Sequence, residues 1–406
     1  MIKRLILLFC CLMPALSVAV EIKGVAQIHW VQAHQPDYWL NKGTGIYQYD
    51  SGNDGLNVAQ GLLAMEQDLA DELSFSAVIN YNQRPAQSIG LTQGYFKYKP
   101  IVPSAYKWQI QAGLFYPRMS LENPDLGWTS PYTYTNSAIN SWLGEEIKTI
   151  GLELSVNRPG RFFNSPHSFN AVASVFKAND PAGTLLAWRG FALHDRQTSL
   201  NELVPFANLP SFTDTALRFQ ASNVRPFEEI DGRFGYYFGL HWDYYKQSQL
   251  RFYLYDNNGD PSVLNKSTGQ YAWDTKFVSL AWQYKFDSQW RLITQAMHGN
   301  TAMGKSRGVD VDFNAYFALV SYQHFAHRWS LRYDHFNVIE RDNWLWDPND
   351  SHGEGLTIAW RFDLTAQWQV GLEYSVANSF AANRDLWQWP QNERQRQSLA
   401  NLQYRF

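Results

Sequence analysis

Four carboxylates, Glu122, Asp125, Glu145 and Glu146, fall within the single stretch 118–147, and four bases, Lys23, Lys97, Arg332 and Arg361, fall at one parity of alternating segments elsewhere. Acidic groups on a loop facing basic groups on a wall set up a transverse field, which orders water and polar solutes and sorts ions by sign. Each of these charges taken singly also fits a plain solvated side chain, and Arg332 with Asp334, or Arg361 with Asp363, can pair along its own segment. Lys107, Arg251 and Arg405 share the parity of the bases but lie nearer segment ends. Tyr237, Tyr253 and Tyr255 share it too, and offer either a stacking track for sugars or simply a crowded wall.

Competing chemistry is weak. The histidines, from His29 to His352, show no metal-ligand spacing. Asp256-Asn257-Asn258-Gly259-Asp260 lacks the downstream Glu of a calcium loop and reads as an Asn-Gly turn, as does Asn53-Asp54-Gly55. No local Ser/His/Asp constellation stands out, so neither an enzyme nor a metal or cofactor site is expected.

The segments that must position these charges are strands. Side chains of a strand alternate faces. Leu73, Phe75, Ala77, Ile79 and Tyr81 oppose Ser74, Ser76, Asn80 and Asn82; Phe234, Tyr236, Phe238, Leu240 and Trp242 oppose Arg233, Tyr237, His241 and Asp243. The clearest hairpin is 356–376, where Leu356, Ile358, Trp360, Phe362 and Leu364 turn at Thr365-Ala366 into Trp368, Val370, Leu372, Tyr374 and Val376. Such alternation predicts strands over 21–33, 56–69, 73–83, 91–99, 107–117, 148–158, 168–179, 233–246, 250–257, 271–286, 290–300, 309–325, 328–341, 354–364, 367–379 and 394–406. Short turns such as Asp71-Glu72 and Ala326-His327 alternate with longer connections at 34–55, 118–147, 180–232, 258–270, 342–353 and 380–393. The fold class is therefore an all-β, antiparallel up-and-down transmembrane barrel of about sixteen strands, short periplasmic turns on one side and long extracellular loops on the other.

Composition agrees. Aromatic residues make up 16% of the chain, with 17 Trp, 23 Tyr and 25 Phe, yet mean hydropathy is −0.39. A lipid-facing band backed by an equally large polar interior gives that mixture, with Trp and Tyr gathered at the two interfaces. Lys3 and Arg4 before the apolar run Leu5 to Leu16, then Ser17-Val18-Ala19, lay out a signal peptide over 1–19. The run is too short to span a bilayer as a helix. Cys10 and Cys11 both lie in it, and a lipoprotein reading of Leu8-Phe9-Cys10 suffers from the bulk of Phe9. Cleavage leaves a single domain, 20–406, without cysteine, which argues against a small disulfide-stapled secreted domain. Losing two positive charges takes the formal charge from −3 to −5, with none of the basic excess of a nucleic-acid binder.

The final run, with Ala400, Leu402, Tyr404 and Phe406 on one face and Asn401, Gln403 and Arg405 on the other, resembles the closing strand of bacterial outer-membrane barrels. In that family a terminal Phe after alternating hydrophobics is read by the insertion machinery, so the resemblance makes Leu402, Tyr404 and Phe406 the barrel-closing signal. In layout the whole mature chain is similar to the trimeric general porins. That resemblance implies a Gram-negative outer-membrane location among lipid and lipopolysaccharide, a homotrimer, and a third long loop folded into the lumen. The corresponding segment is 118–147, so Glu122, Asp125, Glu145 and Glu146 become constriction candidates, and Lys23, Lys97, Arg332 and Arg361 the opposing pore wall. The acidic loop motif of the enterobacterial members has no residue-by-residue match.

A sixteen-strand barrel encloses an aqueous channel, and the polar inward faces predict a wet lumen without an apolar core unless a loop blocks it. The function expected is passive diffusion of small hydrophilic solutes. Alternatives are a substrate-specific channel for an anion or an oligosaccharide, and a barrel whose long loops, 180–232 above all, carry an adhesive or receptor role.

Overall fold

The computed structural model describes residues 20–82, 89–213 and 215–406. The signal peptide expected over 1–19, with Cys10 and Cys11, lies outside the described residues. The chain forms one closed barrel of strands β1 (Glu21–His34), β2 (Gly55–Ala70), β3 (Leu73–Tyr81), β4 (Ile89–Tyr98), β5 (Lys107–Phe115), β6 (Thr149–Arg158), β7 (His167–Lys177), β8 (Gly235–Tyr244), β9 (Ser248–Asp256), β10 (Asp274–Lys285), β11 (Trp290–Met303), β12 (Val309–His324), β13 (His327–Glu340), β14 (Ser351–Asp363), β15 (Trp368–Ala381) and β16 (Asn392–Arg405). Every neighbour is antiparallel, and β16 returns to β1 with Val25 opposite Arg405 and His34 opposite Arg396. Closure leaves no sheet edge facing lipid, as a membrane-spanning sheet requires.

Outward residues are apolar along the strands, among them Leu152, Leu154, Phe238, Leu240, Leu331, Ile358 and Leu372, all exposed. Near the short turns they give way to an aromatic girdle whose cross-strand ring pairs include Tyr98–Trp108, Trp290–Tyr322, Trp329–Trp360 and Trp368–Tyr404. Amphipathic rings in that position sit at a lipid–water interface. Phe406 closes this rim. Gly24 and Phe406 exchange backbone hydrogen bonds, N of Gly24 to O of Phe406 at 3.0 Å and the reverse at 3.2 Å. The Phe406 ring fills the space over Gly24, where a Cβ would lie 2.1 Å from it. Tyr404 stacks on the same ring and Leu402 points outward.

Strand boundaries depart from expectation where local chemistry intervenes. β5 stops at Phe115 rather than 117, because Tyr116 turns inward and Pro117 has no N–H for the ladder. β14 begins at Ser351 rather than 354, and β11 runs on to Met303. Register shifts at Gln27/Ile28 and at Val78/Ile79 mark bulges in the β1–β2 and β3–β4 ladders. The 257–273 connection is one of the longer ones, as expected. It carries its own two-residue ladder, Leu264–Asn265 with Gln270–Tyr271.

The expectation of an interior without an apolar core is corrected. Inward residues of the long-loop half include Phe176, Phe277, Val309, Val311, Phe313, Phe317, Leu319, Phe336 and Val338, all buried. Three long connections fold in to cover them: 35–54, 116–148 and 178–234. The short-turn half keeps two open cavities of about 570 and 540 Å³.

Candidate functional site

The 116–148 loop enters the lumen through Pro117 and carries helix α1 (Ala138–Glu146), which packs against β11, β12 and β13. Ser137 caps the helix, its hydroxyl accepting from Asn140 N. The loop is held by a clamp around Arg332. Its guanidinium meets Glu122 at 2.9 Å and Asp334 at 2.7 Å, and donates to Thr133 Oγ1 (2.8 Å), Asn136 O (2.9 Å) and Thr135 O. Glu122 in turn accepts from Ser137 N, Ser137 Oγ and Asn140 Nδ2. Asp334 accepts from Ala138 N at 3.1 Å. Beside the clamp, Glu373 accepts from the Tyr134 and Thr135 amides and the Thr135 hydroxyl. Arg361 donates to the Ser130 and Thr133 carbonyls at 2.9 and 3.0 Å and lies under the Tyr134 ring. Glu122 and Arg332 are thus brought together, but as a buried lock between loop and wall, 0% exposed on both sides.

Glu145 and Glu146 face the other way, toward the 178–234 loop. Glu145 meets Arg189 at 2.8 Å, His194 at 3.2 Å and Arg196 at 3.5 Å, all buried, with Trp39 of the first loop beneath both arginines. Burial alone would push the Glu145 carboxyl up, but Arg189 and His194 hold it down at about 2. Glu146 reaches past α1 to the start of helix α2 (Thr184–Trp188), accepting from Gly183 N and Leu185 N at 3.1 Å and from the Trp142 indole at 2.6 Å. Burial raises this carboxyl to about 7, against those donors. Lys148 donates to Thr198 O and lies over the Tyr116 and Phe227 rings, and burial lowers its pKa.

Around these charges the two loops close an aromatic plug. Trp142 packs on Phe277 and Phe313, Phe191 on Phe336, and Trp188 on Trp273 and Phe206. The inward tyrosines form a crowded wall rather than a sugar track. Tyr237 donates to Glu153, Tyr253 contacts His241, and Tyr255 donates to Asn179 while stacked between Phe176 and Phe277.

Below the plug lies a polar vestibule with two connected cavities of about 570 and 540 Å³, both bordered by Lys23, Asp125 and Leu126. Trp128, stacked on Tyr116 at 4.5 Å, forms part of its roof. Of the expected residues, Asp125 and Lys23 line this vestibule, with Arg361 at its wall. Lys23 pairs with Glu21 at 2.8 Å, Arg251 with Asp243 at 3.0 Å, and Lys97 lies over Tyr95. Sequence reasoning missed Arg189, His194, Arg196 and Glu373, whose significance depends on how the 178–234 loop and β15 meet the first charges.

The closed sixteen-strand cylinder is a fold shared with solved outer-membrane β-barrels. No protein-family model matches the chain, and no curated protein matches it in sequence. Among solved structures it is similar to the outer-membrane channel DcaP of Acinetobacter baumannii, with a TM-score of 0.55 at 9% identity over 97% of this chain and 99% of that one. It is likewise similar to OprB of Pseudomonas putida, with a TM-score of 0.53 at 10% identity over 96% and 94%. The trimer form of OmpT, an outer membrane protein of Vibrio cholerae, gives 0.53 at 8% identity over 96% and 99%. At such identities the likeness carries the fold.

Proposed function

We propose that this chain is an outer-membrane channel for small hydrophilic solutes. In this reading it is exported by cleavage after residue 19, inserted through its Leu402–Phe406 strand end, and assembled as a homotrimer among lipid and lipopolysaccharide. The observation that carries it is the loop locked inside a closed barrel by Glu122 and Arg332 above an open, charged vestibule. Supporting it, DcaP is described as an outer membrane channel and the OmpT structure as a trimer. Because the long-loop half is packed, the passage is narrow and opens by loop displacement rather than standing wide. Glu122, Glu145, Glu146 and Arg332 then set whether the loops stay docked, whereas Asp125, Lys23, Lys97 and Arg361 act on solutes already in the vestibule. The packed half also favours a second reading, a closed barrel whose outer loops serve as a receptor surface. Planar-bilayer recording decides between them. Stepwise currents of small amplitude are expected from the channel; folded protein that stays silent at every voltage, even after deletion of residues 185–222, belongs to the receptor.

A further inference from the structure

Most basic side chains on the short-turn half of the lumen have no carboxylate partner. Arg328 stands opposite Arg361 in the β13–β14 ladder, and Arg405 ends β16 beside the same cavity. Among the described residues none of the three forms an ion pair with Asp or Glu. Arg328 donates to Gln323 Oε1 and lies over the Tyr132 ring at 5.2 Å, with Arg291 over the same ring at 5.6 Å. Arg361, 4% exposed, spends both terminal nitrogens on loop carbonyls and leaves Nε buried without a partner; Nη1 of Arg328 is also buried and unpartnered. The Gln403 amide, turned to satisfy its neighbours, occupies Nε and one terminal nitrogen of Arg405. Three acids come near. Glu373 is consumed by Tyr134 and Thr135, and Asp363 accepts from Gln369 at 2.7 Å. Asp125 alone faces Arg361, Arg405 and Arg328 together while remaining exposed in both cavities.

Buried guanidinium N–H groups without acceptors are rare, since each asks for an acceptor or a counter-ion. Planar guanidinium groups match the geometry of carboxylate and phosphate oxygens. We infer that Arg328, Arg361 and Arg405 form an oxyanion site on the short-turn face of the inserted loop, with Asp125 as a tethered competitor for the same donors. The ligand class is a small carboxylate- or phosphate-bearing anion, met on the periplasmic side of the plug. As a solute preference this rests on the channel reading; as a binding site it does not, so the two can fail separately.

The test is calorimetric titration of folded, detergent-solubilised protein with inorganic phosphate and, separately, with succinate, alongside bilayer recording of the same preparation. Saturable binding of one or both is expected, and the stronger of the two assigns the headgroup. Arg328→Gln should weaken it by roughly tenfold or more, the loss of one charge-assisted contact. Asp125→Asn should tighten it, an opposite sign that general loop damage does not produce. Absence of binding with both anions overturns the site, as does equal affinity in the wild type, Arg328→Gln and Asp125→Asn proteins. Binding without any current removes the channel reading and leaves the site.

Discussion

Arg332→Met is the sharpest perturbation of the inserted loop. It removes a cation that meets both Glu122 and Asp334 and that donates to Thr133, Thr135 and Asn136. All three charged groups are at most 1% exposed, so solvent screening does not dilute the effect. Breaking a buried ion pair from one side costs about 3–5 kcal/mol, because the partner charges stay behind unpaired. Here two carboxylates are stranded. A bias of about 4 kcal/mol shifts the docked-to-free equilibrium of the loop by roughly a thousandfold. The ladder hydrogen bonds of the barrel are untouched, so the cylinder persists while the loop releases. Single-channel recording should show larger and noisier currents than the wild type, and limited proteolysis should cut within 120–137. The triple variant Arg332→Met/Glu122→Gln/Asp334→Asn, which strands no charge, should recover much of the original behaviour. Identical conductance and protease resistance in Arg332→Met and wild type would show that the clamp does not hold the loop.

Two further outcomes follow from the second loop. The docked Glu146 carboxyl keeps its proton up to about 7, against an ordinary value of 4.5, so docking is fully supported below about 4.5 and loses that support as pH rises through 7. At about 1.4 kcal/mol per unit the loss approaches about 3 kcal/mol. Amide hydrogen exchange at 183–188 should therefore quicken between pH 5 and pH 8 and become pH-insensitive, beyond intrinsic chemistry, in Glu146→Gln; an unchanged pH response in that variant sinks the idea. Gly183 sits at φ +102, and a Cβ there would lie 2.1 Å from Thr301 Oγ1. Gly183→Ala should loosen α2 by about 1–2 kcal/mol from backbone strain alone, read as faster exchange at 183–188 with unaltered barrel strand content; exchange at the wild-type rate counts against tight docking.

The barrel was legible because period-two alternation survives in most spanning segments: Phe238, Leu240 and Trp242 outward with His241 and Asp243 inward leave little freedom of interpretation. The inserted position of 118–147 came through resemblance in layout, not through spacing. What stayed hidden was the plug. In β12 the signal was present, since Val309, Val311, Phe313, Phe317 and Leu319 point inward while Tyr316 and Val320 point outward. A strand apolar on both faces needs cover on both, yet the run reads equally as ordinary strand propensity. The clamp was visible only in part. Arg332 and Asp334 share a face by parity, but that Glu122 completes them depends on a fold of the loop that no local pattern encodes.

The clamp also orders events in time. Glu122 and Arg332 are separated by some two hundred residues of chain, and the seven intervening strands β6 to β12 must zip together before they meet. Until β13 is laid down, the loop after β5 lacks its clamp to the wall, and Phe191 lacks its cover from Phe336. Contacts of such range form last and slowly. An assembling chain therefore passes through a stage with a half-built sheet and a sticky, unhoused insert, and shielding that stage falls to whatever escorts it to the membrane.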